Sequence, residues 1–127
     1  MKENEISFYI RKSIFSVYNE LGPGLLEKVY ERALAYELKN NGLRVQTQVS
    51  MNIKFKDVFI DSSFIADIIV EDKVIIEVKA VTEISNIHHQ QLLTYLKLTN
   101  LKLGILVNFN TDYIDKSIFR KINGKLD

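Results

Sequence analysis

The 127-residue chain has no cysteine, one proline and only five glycines. Without cysteine, disulfides and thiolate metal sites are excluded, and a reducing compartment is unremarkable. Charge of one sign is missing too. Seventeen Lys and Arg face sixteen Asp and Glu, for a formal net charge of +1. No global field then steers the protein to nucleic acid or acidic membranes, and any polyanion site must be local. No apolar run approaches the length of a membrane span. The stretch "MKENEISFYI" has no apolar h-region ahead of a small-residue cleavage site, so a signal peptide is not expected. These absences point to a cytoplasmic protein with no membrane partner. No repeat, low-complexity tract or linker divides the chain, and residues 1–127 are expected to form a single domain with a sizeable core.

The apolar pattern supplies the elements. Ile6, Ile10, Ile14, Val17, Tyr18 and Leu21 recur at helical spacing, with Asn4 as the expected N-cap. "LGPG" (Leu21–Gly24), which holds the sole proline, breaks this helix. A second helix follows, with Leu25, Leu26, Val29, Tyr30, Ala33, Leu34 and Leu38 as a broad apolar face, and stops at "NNG", where Gly42 suits a left-handed position. Then the period changes to two. Val49–Phe55 alternates as a half-buried strand. Ser63–Val70 and Val74–Val81 are apolar on both faces and read as central strands. The "EDK" between them predicts an antiparallel hairpin. Ser85 caps a third helix over 86–98, with Ile87, Leu92, Leu93 and Leu96 on its core side. Leu101–Phe109 is a further strand, and the tail from Thr111 holds a strand or helix. The order predicts an α/β fold, a mixed central sheet flanked by helices.

Three charges interrupt the central strands: Asp67, Glu77 and Lys79. Burying them is costly unless they are paired. Residues two apart share a face, so Glu77 and Lys79 point the same way. With a three-residue turn at 71–73, Val70 pairs with Val74 and Asp67 falls opposite Glu77, at a Cβ separation of ~5 Å. A turn one residue longer or shorter would send Asp67 to the other face. Two ionised carboxylates at ~4 Å and an effective dielectric of ~20 repel by about 4 kcal/mol. Lys79 could neutralise one, one could keep a proton, or a divalent cation could sit between them. The plain alternative is an Asp–Lys–Glu ion-pair cluster at a sheet edge.

Asp67…Glu77-Val78-Lys79, on a hairpin between helices, resembles the PD-(D/E)XK nuclease superfamily. More closely, "LGPGLLEKVYERAL" (Leu21–Leu34) resembles the signature of the GxxExxY protein family, with Gly24, Glu27 and Tyr30 in its named positions. "ADIIVEDKVIIEVKAV", "HHQQLLTYLKLT" and "GILVNF" continue the likeness, from Ile14 to Arg120. Members of that family are small prokaryotic proteins. The resemblance implies a restriction-endonuclease-like core (α-β-β-β-α-β) with an extra N-terminal helix. It implies that Asp67, Glu77 and the Val78 backbone carbonyl bind Mg²⁺ or Mn²⁺, and that Lys79 positions the attacking water. Glu27 would assist catalysis and reach the metal through a water, while Gln91, Tyr95 and Arg120 would touch substrate. Ala66 stands where the superfamily name has Pro, a position that supplies no ligand.

Each has a plainer explanation. A carboxylate at Glu27 is favoured in a first helical turn by the helix dipole alone, by about 0.3–1 kcal/mol. Gln91 and Tyr95, four apart, could simply border an apolar face. His88 and His89, adjacent on a helix, poorly chelate one metal. Lys116, Arg120, Lys121 and Lys125 read as a solvated terminal segment; if helical, Lys116 with Arg120 and Lys121 with Lys125 would share faces. The expected function is a metal-dependent nuclease acting on DNA. The alternatives are a non-catalytic nucleic-acid-binding or regulatory module on a nuclease fold, and a partner-dependent subunit docking through its first helix. A homodimer is compatible with the sequence but not indicated by it.

Overall fold

A computed structural model describes the backbone of residues 1–127 and every side chain except those of Ser62 and Ser63. Three α-helices and a five-stranded mixed sheet run in the order α1 (Glu3–Leu21), α2 (Glu27–Asn40), β1 (Val45–Phe55), β2 (Val58–Val70), β3 (Val74–Lys79), α3 (Asn86–Thr99), β4 (Leu103–Asn108) and β5 (Ile118–Ile122). A 3-10 turn, Ile114–Lys116, precedes β5. The strands lie side by side in chain order. Only β3 and β4 are parallel, joined by α3 as the crossover; the other neighbours are antiparallel.

The sheet is covered on both sides. Ile6, Ile10 and Ile14 of α1 and Leu34 and Leu38 of α2 pack on Val74, Ile76, Val78, Ile105 and Val107. Leu92 and Leu96 of α3 cover Ile75 and Leu106 on the opposite face. A Cβ added to Gly104 would stand 2.8 Å from Leu92 Cδ1, so β4 needs glycine where α3 crosses it. No helix among the described residues is long and apolar enough to cross a membrane.

Several expectations need correction. Asn4 is inside α1, whose N-cap is Lys2; the Asn4 side chain instead accepts a hydrogen bond from Arg120 Nη2 at 2.7 Å. Leu25 and Leu26 precede α2 and are exposed, Leu26 by 76%, because the "GPG" turn delays the helix. Ile87 is 65% exposed, on the outer stripe of α3. The tail, expected to hold a strand or helix, supplies strand β5, so the helical pairings of Lys116 with Arg120 and of Lys121 with Lys125 do not form, and Arg120 and Lys121 point to opposite faces. Strands β1 and β2 are longer than their apolar runs. They continue past the sheet as a two-stranded arm with a tight turn at Lys56 and Asp57, where Phe55 and Phe59 are exposed.

Candidate active site

The three-residue turn holds: Val70 pairs with Val74, Ile69 with Ile75 and Ile68 with Ile76. Continued by one step, this register sets Asp67 opposite Glu77. There the backbone ladder between β2 and β3 stops, and the side chains take over its hydrogen bonds. Asp67 Oδ2 accepts from the Val78 N–H at 2.9 Å. Glu77 Oε2 accepts from the Asp67 N–H at 3.3 Å. The two strands part at this point, and the arm leaves the sheet.

The cause of the parting lies in the alternation of β2 and its neighbour. Ile68 and Val70 pack under α1 and α2, yet Phe64 and Ala66, of the same parity, pack under α3. The alternation therefore breaks at Asp67. It breaks in β1 at the facing residue, since Val45 packs on the first layer and Val49 and Met51 on the second. Gln48 between them has φ 51°, a left-handed conformation uncommon outside glycine. Asp67 is thus held at the plane of the sheet, within reach of groups from both faces.

Groups from five elements meet at this fork, Gln48 of β1 and Asp67 of β2 among them. From β3 come Glu77, which is buried, and Lys79, which is half-buried. Burial first, and the Asp67 charge second, push the Glu77 carboxyl up to about 9; the Lys79 charge opposes this least strongly among the causes. Among the described residues Lys79 forms no ion pair, and Arg44 is the only cation that does. The ion-pair cluster considered as the plain alternative is therefore not what the structure has. From α3, Tyr95 stacks on Phe64 with ring centroids 3.8 Å apart. Burial, then Glu77, raise its hydroxyl pKa, while Gln91 opposes the rise.

From α2 comes a group the sequence reading missed, Glu31. Gln48 Nε2 donates to Glu31 Oε1 at 2.7 Å and lies 3.5 Å from Asp67 Oδ1. Burial, then the Asp67 charge, raise the Glu31 carboxyl above its usual range. The available signal was its place four residues after Glu27, one turn along the same stripe. Glu27 itself is exposed at the start of α2, near enough to Glu31 to add to that shift. Tyr30, fully buried, stacks on Phe109 with ring centroids 4.6 Å apart. Its hydroxyl donates to the Gly22 carbonyl at 2.6 Å and accepts from the Leu25 N–H at 3.0 Å. The tyrosine of the Gly24, Glu27, Tyr30 pattern thus ties down the turn that leads into Glu27. A second missed residue is Asn108, also buried. Its amide bonds both the N–H and the carbonyl of Val81, at 3.0 and 2.9 Å, and so fixes the chain just beyond Lys79.

Arg120 lies apart, on β5 two strands from Glu77, beside Ile105 and bonded to Asn4. His88 Nδ1 accepts from the Ser85 N–H at 3.1 Å, a capping role. His89 packs edge-on to Phe119, its Nδ1 unpartnered among the described residues. Burial, then Lys121, lower its pKa.

Among the described residues no three His, Asp or Glu side chains are gathered to hold a metal ion. The donors that do meet at the fork suit a hard divalent cation. They are two carboxylates, each with one oxygen clear of the backbone N–H groups they accept from. Val78 turns its N–H toward Asp67. A strand residue directs its N–H and carbonyl to the same neighbour, so the Val78 carbonyl faces the fork as well. With its carboxyl pushed up to about 9, Glu77 relieves its repulsion with Asp67 by keeping a proton, and a cation would offset the same repulsion in that proton's place.

Residues 4–121 match the family model of the PD-(D/E)XK nuclease superfamily. No curated protein and no solved structure matches the chain. The α/β architecture is the restriction-endonuclease-like one, with α1 as the added helix. With the match covering nearly the whole length, the chain belongs to the PD-(D/E)XK nuclease superfamily.

Proposed function

We propose that the protein is a metal-dependent nuclease that hydrolyses phosphodiester bonds in nucleic acid, DNA in the first instance. The observation that carries this reading is the fork, where Asp67 and Glu77 face each other beside Lys79, which forms no ion pair among the described residues. Asp67, Glu77 and the Val78 carbonyl would hold Mg²⁺ or Mn²⁺, which supplies positive charge to acidify water and to offset charge on the phosphate. Lys79 orients the attacking water and favours its deprotonated form. To hold the cation Glu77 would have to be deprotonated, since proton and cation would compete for the same carboxylate oxygens. The water oxygen then bonds to phosphorus and the ester oxygen leaves, taking up a proton. Glu31 and Glu27, on the α2 side, can accept the proton from the water. Gln91 and Tyr95, on the α3 side, would hold the strand being cut.

The test is cleavage of single- and double-stranded DNA and RNA with Mg²⁺ or Mn²⁺, using Lys79→Ala as the control. Metal-dependent cleavage that disappears in the control supports the reading. No cleavage of any substrate, or equal cleavage by the control, removes it. A second reading, a non-catalytic nucleic-acid-binding or regulatory module, draws on the lack of a ready-made group of three ligands among the described residues. Salt-sensitive binding without hydrolysis would favour it.

A further inference from the structure

A polyanion site on a chain of net charge +1 has to be local, and one groove has the charge for it. It runs between α2 and the start of β1, holds about 440 Å³, and is lined by Lys28, Arg32, Tyr36 and Lys39 with Glu31 and Gln48 at the fork. Lys28, Arg32, Tyr36 and Lys39 follow one another at spacings of four, four and three, so they form one stripe along the helix. All four are exposed. Among the described residues none of the three cations is in an ion pair, so their charge is not spent on a carboxylate. The groove lining sets three cations against the one carboxylate of Glu31.

The stripe covers eleven helical steps, or ~16 Å. That matches the rise of about five nucleotides along one strand at ~3.4 Å each. Tyr36, 67% exposed, presents its ring in the middle of the cations. An open ring among cations suits an unpaired base, because base faces inside a duplex are already stacked. At its inner end the groove reaches Glu31 and Gln48, which adjoin Asp67. We infer that this groove is the track for a single nucleic-acid strand, with its phosphates on Lys28, Arg32 and Lys39 and a base on Tyr36, leading to the carboxylate fork. The inference rests on the reading of the fork as a nucleic-acid site, but its test does not require turnover.

The test is the binding of a fluorescent single-stranded DNA 12-mer to the full chain carrying Lys79→Ala, measured over a range of salt. Adding Lys28→Gln, Arg32→Gln and Lys39→Gln should weaken binding at least tenfold. It should also reduce the salt slope by about 2, at ~0.7 for each phosphate no longer neutralised. Tyr36→Ala should weaken single-strand binding about tenfold and leave the salt slope unchanged. Lys28→Arg with Lys39→Arg should retain the affinity. All these positions are exposed, so melting temperatures should stay near the parent value. Unchanged affinity in the triple variant, no binding by the parent, or a duplex bound as tightly with the same sensitivity to Tyr36→Ala would overturn the inference. Cleavage by the wild type with unaltered binding in the triple variant would remove the groove and keep the nuclease. Groove-dependent binding without any cleavage would do the reverse.

Discussion

Asp67 and Glu77 stand where two strands should pair, and each carboxylate accepts a backbone N–H that the ladder would otherwise use: Val78 N–H to Asp67 at 2.9 Å and Asp67 N–H to Glu77 at 3.3 Å. Side-chain oxygens thereby replace carbonyls. The backbone donors stay satisfied while the strands separate, and two carboxylates are brought face to face.

The first consequence is a pH dependence. The Glu77 carboxyl is pushed up to about 9 by burial and by Asp67, from an ordinary 4.5. Between those values the folded state binds more protons than the unfolded chain, so stability falls as pH rises. Metal-free thermal melts should show a falling melting temperature from about pH 5 to about pH 9. Glu77→Gln should flatten that slope and melt above the wild type at the alkaline end. A parallel slope in the variant would contradict the assignment.

Tyr30→Phe should keep the stacking on Phe109 but leave the Leu25 N–H and the Gly22 carbonyl without the hydroxyl. The expected loss is about 1–3 kcal/mol in denaturant unfolding. Protection of the Leu25 amide against hydrogen exchange should fall with it. Unchanged exchange at Leu25 would show that the hydroxyl does not hold the turn.

Gly104→Ala places a methyl 2.8 Å from Leu92, which is itself buried. Overpacking of this kind costs about 1–3 kcal/mol, and here it should also displace α3. Disruption of the Phe64–Tyr95 stacking, read by near-ultraviolet circular dichroism, should accompany the drop in stability.

Much of this was legible in the sequence because it depends on counting. Three polar residues between two apolar runs fix the Val70–Val74 register, and the register sets Asp67 opposite Glu77. What counting missed has physical reasons. Gln48 gives no sign of a left-handed conformation, so the simultaneous break in β1 and β2 was invisible. Glu31 resembles any helix carboxylate until that break turns Asp67 toward α2. Leu25 and Leu26 fit a helical face, but the turn ahead of them, held by Tyr30, starts the helix two residues later.

Glu31→Gln removes a carboxylate from beside Asp67 while preserving the hydrogen-bonding geometry with Gln48. It should leave the melting temperature within a few degrees of the wild type. If Glu31 takes the proton from the attacking water, cleavage should fall by about 10²–10⁴-fold. Glu27→Gln should cost less, because Glu27 is exposed. The opposite ranking in a cleavage assay would return the role to Glu27.

If the fork takes a divalent cation in place of the proton on Glu77, the cation should stabilise the folded chain. The most direct measurement is the melting temperature with and without Mg²⁺ or Mn²⁺ at about pH 6 and about pH 8, for the wild type and Asp67→Asn. The cation should raise the wild-type value, and more at the higher pH, where it no longer competes with so firmly held a proton on Glu77. Asp67→Asn should abolish the rise without strongly destabilising the metal-free protein, because it removes a repulsive partner and leaves an oxygen to accept the Val78 N–H. No rise in the wild type, or an equal rise in the variant, would contradict the account.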